Sequence, residues 1–462
     1  MRQIAVIDIG KSNAKLISVD LQTGAETTVA RRANAVVATA PYPHFDVEGL
    51  WAFLLEGLGR LAAAGPVDAI SITTHGAAAA LVAADGTLAL PVLDYEHPGP
   101  DALAAEYRAL RPDFAETGAP LLPGGLNLGA QLYWQAQSFP EAFARTRHIL
   151  TYPQYWAYRL TGVAASEATS LGCHTDLWSP YAGRFSKLVG AMGWTGLFPP
   201  LRPAGQVLGP ILPEVARATG LAVATPVLCG IHDSNASLVP WLQPRTGAAL
   251  PRAVISSGTW MIVMALGGAR RALDPARDVL VNVNALGQPV PTARFMAGRE
   301  FDQITGGAAV PASEAAEAAV LDGQVMALPS LHPETGPFPG QTFAWAPDAP
   351  ADPAARLAAA SFYVAMMGAT CLSLVGAEGE TIVEGPLAGN LAFARMLATA
   401  TGRPVCLAGK GAGTGLGAAM LAGGAPPGPA GLQRILPETG PLWTGYCRSW
   451  TARVGQRLAQ AM

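Results

Sequence analysis

The side chains able to do chemistry in this chain gather at a few glycine-broken turns. The stretch Val227–Ser237, VLCGIHDSNAS, carries one carboxylate, Asp233, with His232 beside it. Val227 and Leu228, after Pro226, read as a short buried strand; Gly230 frees the backbone to turn; Asp233 can start a helix. A carboxylate leaving a buried strand lies where open α/β sheets place their chemistry, and it can take the proton of an attacking hydroxyl. Aspartate also caps helices, so from this stretch alone Asp233 is either a base or a cap.

Two strand–turn–strand units add the chemistry of anion binding. Gln3–Ile9 reads as a strand with Asp8 near its end, Gly10, Lys11, Ser12 and Asn13 as a tight polar turn, and Ala14–Val19 as a second strand. Backbone N–H groups in such a turn converge on an anion, and a hydroxyl adds a donor. Lys11 offers positive charge to a transferring phosphoryl group, and Asp8 suits Mg²⁺ held through water. The letters GKS do not make a P-loop, because the first glycine of that motif would fall on Ala5 inside the strand. Ala253–Ile255, the turn Ser256-Ser257-Gly258-Thr259 and Ile262–Leu266 repeat the scheme, so the two halves begin alike and an internally duplicated architecture is expected. A third glycine-rich turn, Gly385–Asn390, joins a strand Glu380–Glu384 to a helix Leu391–Thr401, and Gly411–Gly417 leads into an apolar helix ending at Leu421.

The remaining elements must hold these turns in place. Val47–Ala64 has helical apolar spacing, and Val67–Thr73 reads as a buried strand running into Thr74-His75-Gly76. A hairpin Leu81–Val92 precedes the polar cluster Leu93-Asp94-Tyr95-Glu96-His97. A helix Ala102–Arg111 and a helix Leu128–Phe139, carrying Gln131 and Trp134, follow; Trp134 reads as core, and His174 and Asp176 as a surface turn. The Pro/Gly-bearing segment Gln243–Leu250 is the best domain boundary, giving domains 1–242 and 243–462. Arg294–Phe301 reads as a polar loop, Ala354–Val375 as a long helix, Gly423–Gly431 as a loop and Trp443–Met462 as a helical tail.

Composition bounds the function. At 462 residues two domains are the default, and half the residues are apolar with 14% charged, as in a globular protein. The net charge of −3 and the lack of a basic block argue against nucleic acid or an anionic membrane as partner. Five scattered cysteines without a CxxC or Cys/His cluster argue against a disulfide framework and a zinc site. Leu357–Ala377 has no charged residue over a bilayer-spanning length, but its many small residues favour close packing in a core. The N-terminal apolar run contains Asp8 and does not read as a signal peptide, so a cytoplasmic location is expected.

DIGKSNAKL, CGIHDSNASL, SSGTW, EGPLAGN and GTGLGAAMLAG, in this order and spacing, resemble the FGGY carbohydrate kinases. The resemblance covers nearly the whole chain. It implies an α/β fold of two ribonuclease H-like (actin-like ATPase) domains with a cleft between them, an N-terminal sugar-binding domain and a C-terminal nucleotide-binding domain. It implies ATP and Mg²⁺, with Gly10, Lys11, Ser12 and Asn13 in the first phosphate loop and Ser257, Gly258 and Thr259 in the second. Gly385 and Asn390 match the adenosine motif, in which Pro386 and Leu387 replace the usual Gly-Ala; Gly413, Thr414 and Gly415 lie in the C-terminal loop near the nucleotide. Asp233 matches the catalytic aspartate and, with Asp8, the metal position. His75, with Gly76, matches a sugar-contacting position, Glu96 falls where many members carry the aspartate of a WxDxR motif, and Gln131 and His232 are further substrate-binding candidates. The departure at Asp94-Tyr95-Glu96-His97 and the IHDSNAS segment look more like the rhamnulose and fuculose kinases than glycerol kinase.

The expected activity is therefore phosphorylation of a ketose or deoxyketose (rhamnulose-, fuculose- or xylulose-like), with a small-molecule sugar as partner and a homodimer as one candidate assembly. The alternatives are a polyol kinase acting on glycerol or erythritol, and a non-sugar ATPase of the same superfold. The latter would need the phosphate turns but no base placed for an alcohol.

Overall fold

The computed structural model describes residues 2–242, 251–307, 311, 313–408, 413–424 and 432–461. The boundary segment Gln243–Leu250, the start of Gly411–Gly417, most of Gly423–Gly431 and Met462 lie outside the described residues. The chain forms two compact units, and they are not separated by a single cut. The first comprises Met1–Gln243 together with Val281–Pro289 and Ala412–Gly428, and the second takes the rest. The two exchanged segments join the first unit through its own core. Val283 packs among Leu128, Leu171 and Trp178, and Ala418, Ala419 and Met420 pack among Ile4, Val6 and Val19.

In the first unit the central strand β1 (Gln3–Ile9) is apolar on both faces because both are covered. Ala5, Ile7 and Ile9 meet Leu50, Leu54 and Leu58 of the helix Val47–Ala64, while Ile4 and Val6 on the other face meet the helix Thr414–Met420. Its neighbours are β2 (Asn13–Asp20) and β3 (Ala25–Ala33) on one side. On the other lie β4 (Ala69–Thr74), then β6 (Pro226–Leu228) and the antiparallel β5 (Val207–Pro210), with β7 (Ile231–His232) also paired to β4. β1–β2 and β2–β3 are antiparallel, whereas β4 runs parallel to β1, β6 and β7.

The second unit repeats this order. β8 (Arg252–Ser257) is followed outward by β9 (Met261–Leu266) and β10 (Pro289–Phe295), both antiparallel pairings. On its other side β11 (Glu380–Glu384) and β12 (Val405–Leu407) are parallel, and β13 (Gln433–Ile435) closes the sheet antiparallel. The duplication expected from the two hydroxyl–glycine turns is thus present as six strands of the same order and direction in each sheet.

The helix Pro353–Leu374 is long and apolar enough to cross a membrane, yet 72% of its most apolar window is buried within the protein. It is the core helix expected from its small residues, and the helix Leu391–Thr401 packs along it. Two expectations need correction. Arg294–Phe301 is not a polar loop: Arg294 and Phe295 complete β10, and Ala297–Thr305 is a helix burying Ala297, Glu300 and Ile304. A glutamate in that apolar stripe hid the helical period. Asp176 does not lie in a surface turn: it is 1% exposed and pairs with Arg111 at 2.7 Å while accepting from the Tyr107 hydroxyl at 2.8 Å, whereas His174 is half-buried in a turn with its Nδ1 2.7 Å from the Leu126 carbonyl.

Candidate active site

Strand register brings the first group of side chains together. Asp8 is opposite Thr73, and Ile231 is also opposite Thr73, so the chain leaves β1, β4 and β7 at one edge of the sheet. Asp8 at the end of β1, His75 just beyond β4 and Asp233 just beyond β7 therefore share that edge, where parallel strands expose their carboxyl ends.

Asp233 opens the short helix Asp233–Ala236, but it does not cap it. His232 occupies the capping position, and the Asp233 Oδ1 accepts from the adjacent Ser234 N–H at 2.6 Å and lies 3.3 Å from His232 Nε2. The carboxylate keeps 31% side-chain exposure, so it is recessed yet reachable. Burial raises its pKa, against the opposing pull of His75 and the Ser234 hydrogen bonds. Burial also raises the pKa of Asp8, the Lys15 ammonium 3.5 Å away lowers it, and the Asp233 charge raises it further. Lys15 and Glu26 are members of this charged group that motif reading passed over, and burial raises the pKa of Glu26.

His232 is fixed from all sides. Its backbone N–H donates to Thr169 Oγ1 at 3.1 Å, its Nδ1 meets Asn235 Nδ2 at 3.0 Å, and its Nε2 lies 3.3 Å from Cys173 Sγ. Burial lowers its pKa to about 4, so the ring is neutral at ordinary pH. Gly76 is required by this packing: a Cβ there would lie 2.9 Å from His232 Nε2 and 3.3 Å from Cys173 Sγ. His75 is enclosed by the rings of Phe45, Tyr95 and Tyr152 at 5.0, 5.5 and 5.1 Å. Its Nδ1 bonds the Gly76 carbonyl at 2.8 Å, and burial lowers its pKa to about 4. In that neutral tautomer Nδ1 carries the proton, leaving Nε2 as a buried acceptor with no hydrogen-bond partner.

The Lys11 side chain is engaged by acidic and aromatic neighbours. Its ammonium bonds Asp94, lies 3.3 Å from Glu96 Oε2 and sits over the Tyr95 ring at 4.5 Å. The turn backbone is held by Gly10 N–H to the Asn13 carbonyl at 2.9 Å, and Asn34 N–H donates to the Ser12 carbonyl at 3.0 Å. The Asn13 side chain is engaged by Arg31 at 3.1 Å. Gln131 is buried and donates to the backbone carbonyls of Ala77 (2.6 Å) and Gly125, so its amide nitrogen props the loop beside His75. Trp134 packs edge-on against Tyr42, His97 and Phe139, as a core residue.

Gly413, Thr414 and Gly415 belong to the first unit, at the start of the helix Thr414–Met420. This helix lies so close to the Asp233 helix that a Cβ on Gly417 would come within 1.8 Å of the Ala236 carbonyl oxygen. The two earlier glycines face Glu26: a Cβ added at Gly413 or Gly415 would lie 3.7 or 3.3 Å from its carboxylate. The GTGLG run therefore supports the backbone that carries Asp233.

The second unit carries paired turns of its own and a cavity beside them. Ser256 pairs with Glu384, so the turns after β8 and β11 emerge side by side. Ser257 Oγ donates to the Glu384 carbonyl at 2.5 Å and accepts from Leu387 N–H at 3.1 Å, so this hydroxyl ties the two turns together. Gly385, at φ 80°, leaves only 2.0 Å between a Cβ and the Ser257 carbonyl oxygen, which excludes any side chain. Gly298 similarly lets the helix Ala297–Thr305 touch the Gly258–Thr259 backbone. Ser257, Gly258, Thr259, Arg299, Leu387 and Asn390 line a cavity of about 790 Å³. A second cavity of about 340 Å³, with Leu357, Ala358, Ser361 and Glu317 in its wall, shares Pro386 and Asn390 with it. Asn390 caps the helix Leu391–Thr401 through Phe393 N–H at 2.9 Å and donates to Ser361 Oγ at 2.9 Å. Arg299, also missed from sequence, is exposed on the wall of the larger cavity and has no ion pair or hydrogen bond among the described residues.

Two family descriptions match most of the chain: FGGY family of carbohydrate kinases, N-terminal domain, over residues 3–240, and carbohydrate kinase FGGY, C-terminal domain, over residues 249–430. The chain belongs to the FGGY family of carbohydrate kinases. It is similar to a carbohydrate kinase from Novosphingobium aromaticivorans of known crystal structure, 38% identical, covering 97% of this chain and 100% of that one with a TM-score of 0.89. It shares its fold with a xylulose kinase from Rhodospirillum rubrum, 20% identical, covering 98% of each chain with a TM-score of 0.76. Among curated relatives, an L-fuculokinase of Salmonella typhi is 27% identical over 57% of this chain and 57% of its own length. A rhamnulokinase of Pectobacterium carotovorum is 27% identical over 57% of this chain and 53% of its own length. The aligned stretch thus spans little more than half the length of these curated relatives. They agree with the resemblance to fuculose and rhamnulose kinases expected from the IHDSNAS segment.

Among the described residues no group of three or more His, Cys, Asp or Glu side chains gathers as a metal site. Mg²⁺ in a phosphoryl-transfer site asks for less: one or two carboxylates, with water and phosphate oxygens completing its shell. Asp8 and Asp233, whose carboxylates are pushed toward protonation by burial and, at Asp8, by the other's charge, fit that demand.

Proposed function

We propose that this protein is an ATP-dependent kinase that transfers the γ-phosphoryl group to a hydroxyl of a ketose or deoxyketose of the fuculose, rhamnulose or xylulose kind. The observation that carries the reading is Asp233: a recessed but reachable carboxylate at a parallel-strand edge, capping nothing, with a raised pKa and a neutral histidine acceptor nearby.

In this mechanism Asp233 accepts the proton of the sugar hydroxyl as its oxygen forms a bond to the γ-phosphorus. The bond between that phosphorus and the β-bridging oxygen breaks, and ADP leaves with the electron pair. His75 Nε2 accepts a hydrogen bond from a second hydroxyl and orients the ring. The turn Gly10–Asn13 in the first unit and the turn Gly258–Thr259 in the second are each candidates to hold phosphate oxygens, apart from the Gly10 and Gly258 N–H groups, which donate to the Asn13 and Trp260 carbonyls, and Arg299 would add charge in the cavity of the second unit. The 340 Å³ cavity beside Asn390, walled by Leu357 and Ala358 together with the polar Ser361 and Glu317, would take the nucleoside. Mg²⁺, held by Asp8 and Asp233, would neutralise charge on the phosphates.

The reading is tested by a coupled ADP assay across L-fuculose, L-rhamnulose, D- and L-xylulose, glycerol and erythritol. ADP formation should depend on one of the ketoses. Asp233→Asn keeps an oxygen for Ser234 and should fold, while turnover falls by about 10²- to 10⁴-fold, the usual loss for a general base, with ADP binding nearly intact. Sugar-independent ATP hydrolysis, unchanged by any acceptor, would sink the kinase reading.

A further inference from the structure

The side-chain partners of Lys11 point to a use of the first phosphate turn that its motif does not disclose. Its ammonium bonds Asp94 and lies 3.3 Å from Glu96, and it stands over the rings of Tyr95 (4.5 Å) and Phe45 (5.1 Å). Those two rings also enclose His75, at 5.5 and 5.0 Å. Lys11 therefore belongs to the same small group as the unpartnered acceptor His75 Nε2. Its side chain is 22% exposed, whereas that of Glu96 is 67% exposed.

We infer that Lys11 is an acceptor-sugar residue rather than a phosphate ligand, and that with Asp94 and Glu96 it selects neutral polyhydroxy acceptors against sugar acids. The inference rests on the kinase reading above. Charge balance decides the preference. One ammonium faces two carboxylates, so the group is net negative even before Asp233 is counted. A lysine whose charge is already spent in this way offers little to an incoming phosphate or carboxylate. Its three N–H donors still leave room for a hydroxyl oxygen, while Asp94, Glu96 and His75 Nε2 are acceptors that need O–H donors. A neutral polyol or ketose supplies both, because each hydroxyl donates and accepts. A sugar carboxylate has no proton to donate and meets two like charges. The aromatic rings beneath the ammonium fix its position by cation–π contact, which a mere solvent-exposed ion pair would not need.

The test is steady-state kinetics on the full-length protein, varying ATP at saturating sugar and sugar at saturating ATP, with the best ketose from L-fuculose, L-rhamnulose and xylulose, and with D-gluconate as the sugar acid. Wild-type kcat/KM for gluconate should be at least 100-fold below that for the ketose. Lys11→Met should raise the sugar KM tenfold or more and move the ATP KM by less than twofold; Lys11→Arg, which keeps the charge, should do less harm. Glu96→Gln removes the surplus negative charge and should narrow the gap between ketose and gluconate. A rise in the ATP KM with an unchanged sugar KM, no change in either, or gluconate turnover equal to the ketose overturns the inference. A wild-type protein that makes no ADP with any acceptor overturns the kinase reading itself, which is a different result.

Discussion

Glu300 links the stability of the second unit to pH through the wall of its cavity. It lies one residue from Arg299 on the helix Ala297–Thr305, is 1% exposed and accepts from the Tyr363 hydroxyl. Burial, with a smaller push from Glu334 and against the Tyr363 bond, raises its pKa from 4.5 to about 7. The folded protein therefore favours the protonated form. Relative stability is greatest below the ordinary carboxyl value, declines as the pH rises from 4.5 toward 7, and levels above that. At about 1.36 kcal/mol per pKa unit, ionising this group between pH 5 and pH 8 costs roughly 2.5 kcal/mol. Glu300→Gln keeps an oxygen for Tyr363 and removes the titration. In thermal melts its midpoint relative to wild type should rise between pH 5 and pH 8 by roughly 5–10 °C, on the scale expected for a unit of this size. Melting profiles of wild type and variant that run parallel across that range would refute the reasoning.

Three further outcomes follow from the site geometry. Arg299→Gln should weaken ADP binding by roughly 10- to 100-fold, the scale of a charge-assisted hydrogen bond, and leave adenosine binding unchanged in calorimetry; equal loss for both would remove Arg299 from phosphate recognition. Gly417→Ala places a Cβ 1.8 Å from the Ala236 carbonyl and should displace the Asp233 helix, lowering kcat far more than it changes ADP affinity; a wild-type kcat would count against that role for the GTGLG run. Gly76→Ala crowds His232 Nε2 at 2.9 Å, so it should raise the sugar KM with little effect on the ATP KM, read in the same coupled assay.

Local signals in the sequence located most elements because they act over a few residues. The helix Val47–Ala64 has its apolar spacing and its Asp46 cap, the strand Glu380–Glu384 its β-branched run, and the helix Leu391–Thr401 its Asn390 cap and Gly402 stop. The helix Ala297–Thr305 was hidden because a buried glutamate holds a position that an apolar residue usually fills. Asp176 read as part of a turn because nothing nearby announces Arg111, 65 residues away, as its partner. The exchanged segments Val281–Pro289 and Ala412–Gly428 were invisible to a boundary drawn from proline and glycine.

By itself the sequence determined that Asp8, Asp233 and the paired hydroxyl–glycine turns sit at strand ends, since alternation, turn residues and motif order are local properties. Only the tertiary structure decided what those residues face. Lys11 meets Asp94 across 83 residues, Tyr363 reaches Glu300 across 63, and Gly417 yields its side chain to the Ala236 backbone. Charge compensation, burial and close backbone approach depend on which distant segments the sheet register brings together. That register is set by the packing of both sheet faces at once, and no window of sequence contains it.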